Sequence, residues 1–488
     1  MAKSLKHKAA SGMVWTALQK YSKMGIQFIS GIILARLLTP YDYGCIGMLS
    51  IFMVLAEVFI DAGFGSALIQ KKRPTQEDYS TIFWWNLGMA VLMYAVLYMS
   101  APAISRFYDI PLLCDVLRVQ GLVLFIFAFN IVQRNQLKKQ LNFRVLSIVS
   151  ITTAIISLCI TIFMAYKGFG VWALVTQNMV TAAIPAIVFW FFIKWRPMLV
   201  FSKQSFKELF GFGFYMFLTH LVNDFSGQIQ GLLIGKMYTP ATMGYYSKAH
   251  STEKLASKSI SQVMTQVTYP LYAEVQDDKA AMVNMIKRLT STIAYLTFPL
   301  MFILLLIAKP LFILLYSDRW LQSVPYFQVL CIAGLAVCLQ AVNLQTIPAI
   351  GKSKVMFIWT LIKRGVGLGA ILLGLFFYGM KGLLCGVVFN SWFSLFINMW
   401  LVSRYIGYKM SRQLIDLLPI FVISTIAALV SFGIGLLLMI DNIYVDGLVK
   451  LGFYVLIYMG WSFIFKPDAF NYTMTVVNPF LVKIFHRK

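Results

Sequence analysis

The chain has 488 residues, 59% of them hydrophobic and only 12% charged, and its mean hydropathy is +0.76, whereas an average soluble domain carries about 25% charged residues. Its apolar runs are too many for a single anchor and too long for the alternating strands of a membrane barrel, which leaves an all-α integral membrane protein. The formal net charge of +24 would suit a nucleic-acid partner in a soluble chain; here the basic residues form short clusters between apolar runs, and no nucleic-acid binding is expected.

Windows of about 20 apolar residues predict helices near 13–37, 43–68, 80–104, 114–134, 146–166, 170–193, 206–236, 243–269, 289–308, 325–349, 355–378, 382–403, 416–440 and 448–465. That makes fourteen spans. Lys3, Lys6 and Lys8 precede the first apolar run with no small-residue cleavage site after it, so the first helix reads as an uncleaved signal anchor. The span at 243–269 is the least apolar, because it holds His250, Glu253, Lys254 and Lys258. Removing it would invert every later loop. With it in place, Lys and Arg concentrate on the side of the N-terminus, in clusters such as Lys71-Lys72-Arg73, Arg134 to Arg144 and Lys194 to Lys207, and both termini are expected in the cytoplasm. No loop is long enough for a separate soluble domain. The six cysteines include no C-x-x-C pair and the histidines number four, so no cofactor and no metal are expected.

An internal repeat appears at an offset of 200 residues, where 29–46 meets 229–246. Ile29/Ile229, Gly31/Gly231, Thr39/Thr239, Pro40/Pro240 and Gly44/Gly244 are identical, and Arg36/Lys236 keep their charge. In each Thr-Pro-x-x-x-Gly element the Pro is expected to stop the preceding helix and the Gly to supply the turn. The match shifts the first hairpin by six spans, which preserves orientation. It implies two pseudo-twofold-related six-helix lobes, residues 1–204 and 205–404, around a central cavity, with helices 13 and 14 and a basic tail in 405–488.

The informative residues are the ionisable ones at span depth: Lys20 and Lys23 on the first helix, Glu57 and Asp61 on the second, and His220 and Asp224 on the seventh. The eighth adds His250, Glu253, Lys254 and Lys258, and the eleventh Lys363 and Arg364. Each charge facing lipid at mid-bilayer costs about 2.5–3.5 kcal/mol even on the lenient insertion scale. A dozen would exceed a folding free energy of roughly 5–15 kcal/mol, so they must face one another or water. His250, Lys254 and Lys258 recur every four residues on one side of the eighth helix, and Gln19, Lys20, Lys23 and Gln27 give the first helix a polar flank. Lys20 and Lys363 lie near enough to a helix end to snorkel to the headgroups, and Lys248 reads as an interfacial anchor. Lys23, Lys254 and Lys258 sit too deep for that. With Lys20 and His250 they form the candidate site for an anionic headgroup such as a diphosphate. Trp15, Tyr21, Tyr215, Tyr245, Tyr246 and Tyr269 offer sugar-stacking surfaces or ordinary packing. Glu57, Asp61, Asp224 and His220 serve as charge partners for the lysines or as coupling groups for H+ or Na+.

Several stretches resemble one family. Leu34-Ala35-Arg36-Leu37-Leu38-Thr39-Pro40-x-x-Tyr43-Gly44, Asp61-Ala62-Gly63-Phe64-Gly65-Ser66, Asp78-Tyr79-Ser80-Thr81-Ile82-Phe83-Trp84-Trp85-Asn86, Gly168-Phe169-Gly170-Val171-Trp172-Ala173 and Gly244-Tyr245-Tyr246-Ser247-Lys248-Ala249 are similar to the Wzx-type oligosaccharide flippases, in the branch of colanic acid exporters. The likeness runs to about residue 400. It implies the multidrug, oligosaccharidyl-lipid and polysaccharide exporter superfamily, with two six-helix lobes working by alternating access. The implied cargo is an undecaprenyl-pyrophosphate-linked repeat unit crossing the inner membrane, beside a glycan polymerase and glycosyltransferases. Related flippases hold the pyrophosphate with basic residues on helices 1, 2 and 8; this chain supplies Lys23, Lys254 and Lys258 but has Glu57 and Asp61 on helix 2. The competing readings are a cation-coupled multidrug antiporter of the same superfamily, which would want an acidic cavity, and a membrane-embedded enzyme on lipid-linked sugars. The latter would need an extramembrane domain with paired acids, and the sequence holds none.

The charge distribution is testable by topology reporters. Alkaline phosphatase fused after Thr239 is expected to be active outside the cytoplasm, and a fluorescent protein fused after Asp278 to fold inside it; finding both points on the same side would remove the eighth crossing.

Overall fold

The structure is a computed structural model that describes residues 2–275, 277–472 and 474; the basic tail with Lys483, Arg487 and Lys488 lies outside them. Among the described residues all regular structure is helical. The helices are α1 (Ala2–Leu37), α2 (Pro40–Asp61), α3 (Phe64–Gln70), α4 (Gln76–Tyr108), α5 (Leu112–Gly121), α6 (Val123–Lys139), α7 (Phe143–Tyr166), α8 (Val171–Phe192) and α9 (Lys203–Met237). They continue with α10 (Pro240–Glu274), α11 (Lys279–Leu306), α12 (Ala308–Tyr316), α13 (Ser323–Asn343), α14 (Thr346–Ala349), α15 (Ser353–Ile406), α16 (Met410–Leu438) and α17 (Ile443–Phe465).

Ten helical stretches among the described residues are long and apolar enough to cross a bilayer. One of them, Lys354–Ile406, has 53 residues, about 80 Å of helix against a hydrocarbon core of about 30 Å. It breaks at Gly379, whose φ of 59° and ψ of −141° suit a residue without a side chain, and so supplies two crossings. Helices α1, α9 and α10, of 36, 35 and 35 residues, have the length to cross and carry the ionisable rows that lower their apolarity. The arrangement is consistent with fourteen crossings. The 243–269 segment in particular lies within the single helix α10.

The outer surface is apolar. Phe191, Leu199, Phe376, Leu437 and Met439 are each more than 80% exposed, which a soluble protein would not tolerate and which hydrocarbon solvates without cost.

The chain forms two compact units, residues 1–247 and 248–488. In the first, α1 packs on α7, α7 on α8, α2 on both α4 and α9, and α4 on α5 and α6. Helix α9 also touches α3 and α4, so the contact division falls beyond the sequence repeat boundary at 204/205. Phe64, Leu68, Phe83, Val132 and Leu209 form one buried cluster, rimmed by Trp84, Trp85, Trp190 and Trp195. At its edge Lys71 bridges Asp78 and Glu208, each at 2.9 Å, tying the α3–α4 loop to the start of α9. Burial opposes the charge of Lys71, but the two carboxylates outweigh it and raise its pKa above the ordinary lysine value. In the second unit α11 packs on α13 and α16, α13 on α15, and α16 on α17, around Phe298, Phe312, Phe327 and Tyr454.

The Thr-Pro-x-x-x-Gly elements depart from expectation at the glycine. The preceding helix ends at Leu37, ahead of Pro40, and Pro40 itself opens α2, where its missing N–H costs nothing, while Thr39 caps the helix and Asp42 returns the bond at 2.9 Å. At the second copy Pro240 starts α10, and Thr239 Oγ1 accepts from the Thr242 N–H at 3.3 Å. Gly44 and Gly244 are helical rather than turn residues. A Cβ on Gly44 would land on the carbonyl oxygen of Pro240, and a Cβ on Gly244 on the carbonyl oxygen of Pro40. Positions matched in the repeat thus meet each other reciprocally, with backbone against backbone.

Gly44→Ala or Gly244→Ala is therefore expected to lower stability by about 1–3 kcal/mol, the usual cost of overpacking a site that cannot relax. Gly47→Ala should cost less, because its neighbours at 2.8 and 2.9 Å are the movable ends of Met243 and Ser247. Thermal unfolding of the purified variants in detergent measures the order.

Candidate functional site

In the first unit the packing of α2 on α9 brings two pairs of side chains together, each pair one helical turn apart. Glu57 lies within electrostatic reach of Asp224, and Asp61 within reach of His220. Asp61 is held at the end of α2, where its Oδ1 accepts the Gly65 N–H at 3.1 Å. It also interacts with Lys138 on α6, whose neighbour Arg134 interacts in turn with Lys23 on α1. The interactions join Asp61 to two basic groups, His220 and Lys138, run from Lys138 through Arg134 to Lys23, and set the acids Glu57 and Asp224 beside each other. Opposite charges meet at Asp61, the condition for holding its carboxylate at bilayer depth.

Arg134 and Lys138 were counted among loop residues in the sequence. The structure extends the helix of the fourth span to Lys139, which places the two cations one turn apart on a helix face. Their i, i+4 spacing, in register with the apolar run before them, was the available signal.

The polar flank of α1 divides. Gln19 donates to Ser150 on α7 at 2.7 Å, and Ser30 accepts from Gln177 on α8 at 3.3 Å, so these two serve packing. Lys20 is half-buried, while Lys23 and Gln27 are exposed. On α9, Gln228 accepts from Ser50 of α2 at 3.1 Å, and Gln230 is bonded by the Tyr246 hydroxyl. His220 is exposed and Asp224 half-buried.

In the second unit α10 presents His250 and Lys254 one turn apart, with Lys254 interacting with both His250 and Glu253. Lys254 is exposed, His250 half-buried and Glu253 buried. The Lys258 side chain, and that of Tyr269, lie outside the described part of the structure.

Two lysines depart from expectation. Lys248 is no interfacial anchor: it is 4% exposed, with its Nζ 4.1 Å from the ring centre of Tyr316 and 5.6 Å from that of Trp320. The aromatic faces replace part of its hydration. Lys363 does not snorkel either, since it is 6% exposed and donates to Asn398 Oδ1 at 2.7 Å. A long side chain can be drawn inward when a neighbouring helix offers a carbonyl at its tip, and that partner is invisible in a local window. Both lysines are structural. Lys23 and Lys254 are exposed cations on helices long enough to span, and exposed ammonium groups can hold a phosphate as point charges.

The fold defines a polytopic helical membrane protein. The chain belongs to the polysaccharide biosynthesis protein family, whose model matches residues 33–325. The teichuronic acid biosynthesis protein TuaB of Bacillus subtilis (strain 168) is 26% identical over 444 residues, covering 89% of this chain and 90% of its own length. The lipopolysaccharide biosynthesis protein WzxC of Escherichia coli (strain K12) is 20% identical over 89% of each chain, in keeping with the Wzx-type resemblance. Among solved structures, the lipid II flippase MurJ in an inward closed conformation superposes with a TM-score of 0.73 at 15% identity, over 93% of this chain and 99% of its own. At that identity the likeness shows the fold.

The contrast between lysines is measurable. Lys23→Ala, at an exposed position, is expected to change stability by no more than about 0.5 kcal/mol. Lys363→Ala leaves Asn398 without its donor and should cost about 1–3 kcal/mol. Denaturation midpoints of the two variants in the same detergent separate a surface cation from a structural one.

Proposed function

We propose that this protein is a flippase that carries an undecaprenyl-pyrophosphate-linked oligosaccharide repeat unit from the cytoplasmic to the periplasmic leaflet of the inner membrane, for surface polysaccharide biosynthesis. The observation that carries the reading is the coincidence of two things: membership of a polysaccharide biosynthesis family, and exposed basic side chains, Lys23 and Lys254, on helices α1 and α10, which have the length to span. An enzyme of glycan assembly would need a reactive constellation, and a drug antiporter for cations would gain nothing from exposed lysines. A lipid-linked diphosphate satisfies both observations at once.

In this scheme the headgroup enters sideways from the cytoplasmic leaflet while its isoprenoid tail stays in lipid. Lys23, Lys254 and Lys258, helped by Lys20 and His250, replace the water around the diphosphate. The two repeats then rock about their pseudo-twofold axis and present the sugar to the far side; no bond is made or broken. Glu57, Asp61, Asp224 and His220 balance the lysines between cargo loads, with H+ or Na+ as the coupling ion. Both termini face the cytoplasm, where the glycosyltransferases that build the repeat unit work, and the polymerase that consumes it stands on the far side.

Exchanging Lys254 and Lys258 together for Ala, with membrane insertion confirmed, is expected to abolish leaflet exchange of a labelled polyprenyl-diphosphate saccharide in reconstituted vesicles. Unchanged exchange would remove both lysines from the site.

A further inference from the structure

Glu253 has no part in the scheme above. It lies on α10 with 6% of its surface exposed, and its Oε1 has no hydrogen-bond partner among the described residues. It points at Gly334 on α13: a Cβ there would sit 2.7 Å from Glu253 Oε1 and 3.1 Å from the Met301 sulfur of α11. Any larger residue at 334 would fill the slot that the carboxyl occupies. The rest of the slot is soft and apolar. Cys331 and Cys338 of α13 flank it, both buried, and the Cys338 thiol donates to the Ser257 carbonyl at 3.7 Å. The Ser257 hydroxyl bonds the Glu253 carboxyl from one turn along the same helix.

Among the described residues, the titratable and charged groups that reach Glu253 are Lys254 of α10 and the two thiols of α13, while α11 places the uncharged Met301 at the slot. The Tyr316 hydroxyl of α12 is bonded to Thr252 instead. A carboxylate deprived of water, with one oxygen undonated, is far costlier than the neutral acid. A hard monovalent or divalent cation would need a cage of oxygens, and thiols with a thioether do not make one.

We propose that Glu253 is a proton-binding site, and that its proton controls how strongly the adjoining Lys254 attracts an anion. When Glu253 is protonated, it no longer offsets the charge that Lys254 offers a diphosphate. When the proton leaves, the carboxylate left behind neutralises Lys254 and weakens that pull. The proton site stands on geometry alone; its link to cargo rests on the function proposed above.

The test uses the full-length protein in vesicles of phosphatidylethanolamine and phosphatidylglycerol. Infrared difference spectra at neutral pH are expected to show the carbonyl band of a protonated carboxylic acid, lost in Glu253→Gln and kept in Glu57→Gln, Asp61→Asn and Asp224→Asn. The Gln variant keeps the shape of the side chain and should melt like the parent. A band that persists in Glu253→Gln, or is absent from the parent, overturns the site. In a second arm, an imposed pH gradient is expected to speed leaflet exchange of a labelled polyprenyl diphosphate several-fold in the parent and not at all in Glu253→Gln. A gradient response that survives the substitution overturns the link to cargo. Loss of all exchange in the parent while the infrared band remains would sink the flippase reading and leave the proton site standing.

Discussion

The cost of an ionised group at bilayer depth organises this molecule. Hydrocarbon solvates Phe191 and Leu437 on the outside, but it cannot solvate Asp61 or Lys138, and each such group survives only where another helix answers it. Asp61 on α2 meets that demand through His220 on α9 and Lys138 on α6. Other chemistry contributes at two buried lysines. Lys248 rests against aromatic faces, and Lys363 reaches an amide oxygen.

This constraint also explains what could be read before any coordinates. The helical runs, the continuous helix through 243–269 and the pairs Glu57/Asp61 and His220/Asp224 are legible because hydropathy and helical period are local properties of the chain. The break at Gly379 was legible too, as the gap between two runs. What a window cannot supply is the partner. Lys363 looked like a snorkelling residue because Asn398 is 35 positions away. Ser257 lies buried beside Glu253 and against α13, a helix outside any local window. Arg134 and Lys138 were assigned to a loop because charge was taken as the end of the helix, whereas α6 continues through them.

The family assignment and the charge geometry inform different parts of the problem. Family membership bears on cargo chemistry, through polysaccharide biosynthesis. The local structure bears on burial: Lys248 and Lys363 are buried in the packing, whereas Lys23 and Lys254 are exposed.

The mutual approach of Gly44 to Pro240 and of Gly244 to Pro40 has an evolutionary corollary. If the two repeats arose by duplication, their matching knuckles became each other's mould. A methyl group gained in one copy is resisted by the main chain of the other, which cannot yield by changing a rotamer. Sequence divergence can run freely over the lipid-facing surfaces of both halves, but at this junction the halves are bound to drift in step, and a residual fingerprint of the ancestral symmetry is preserved there after it has faded elsewhere.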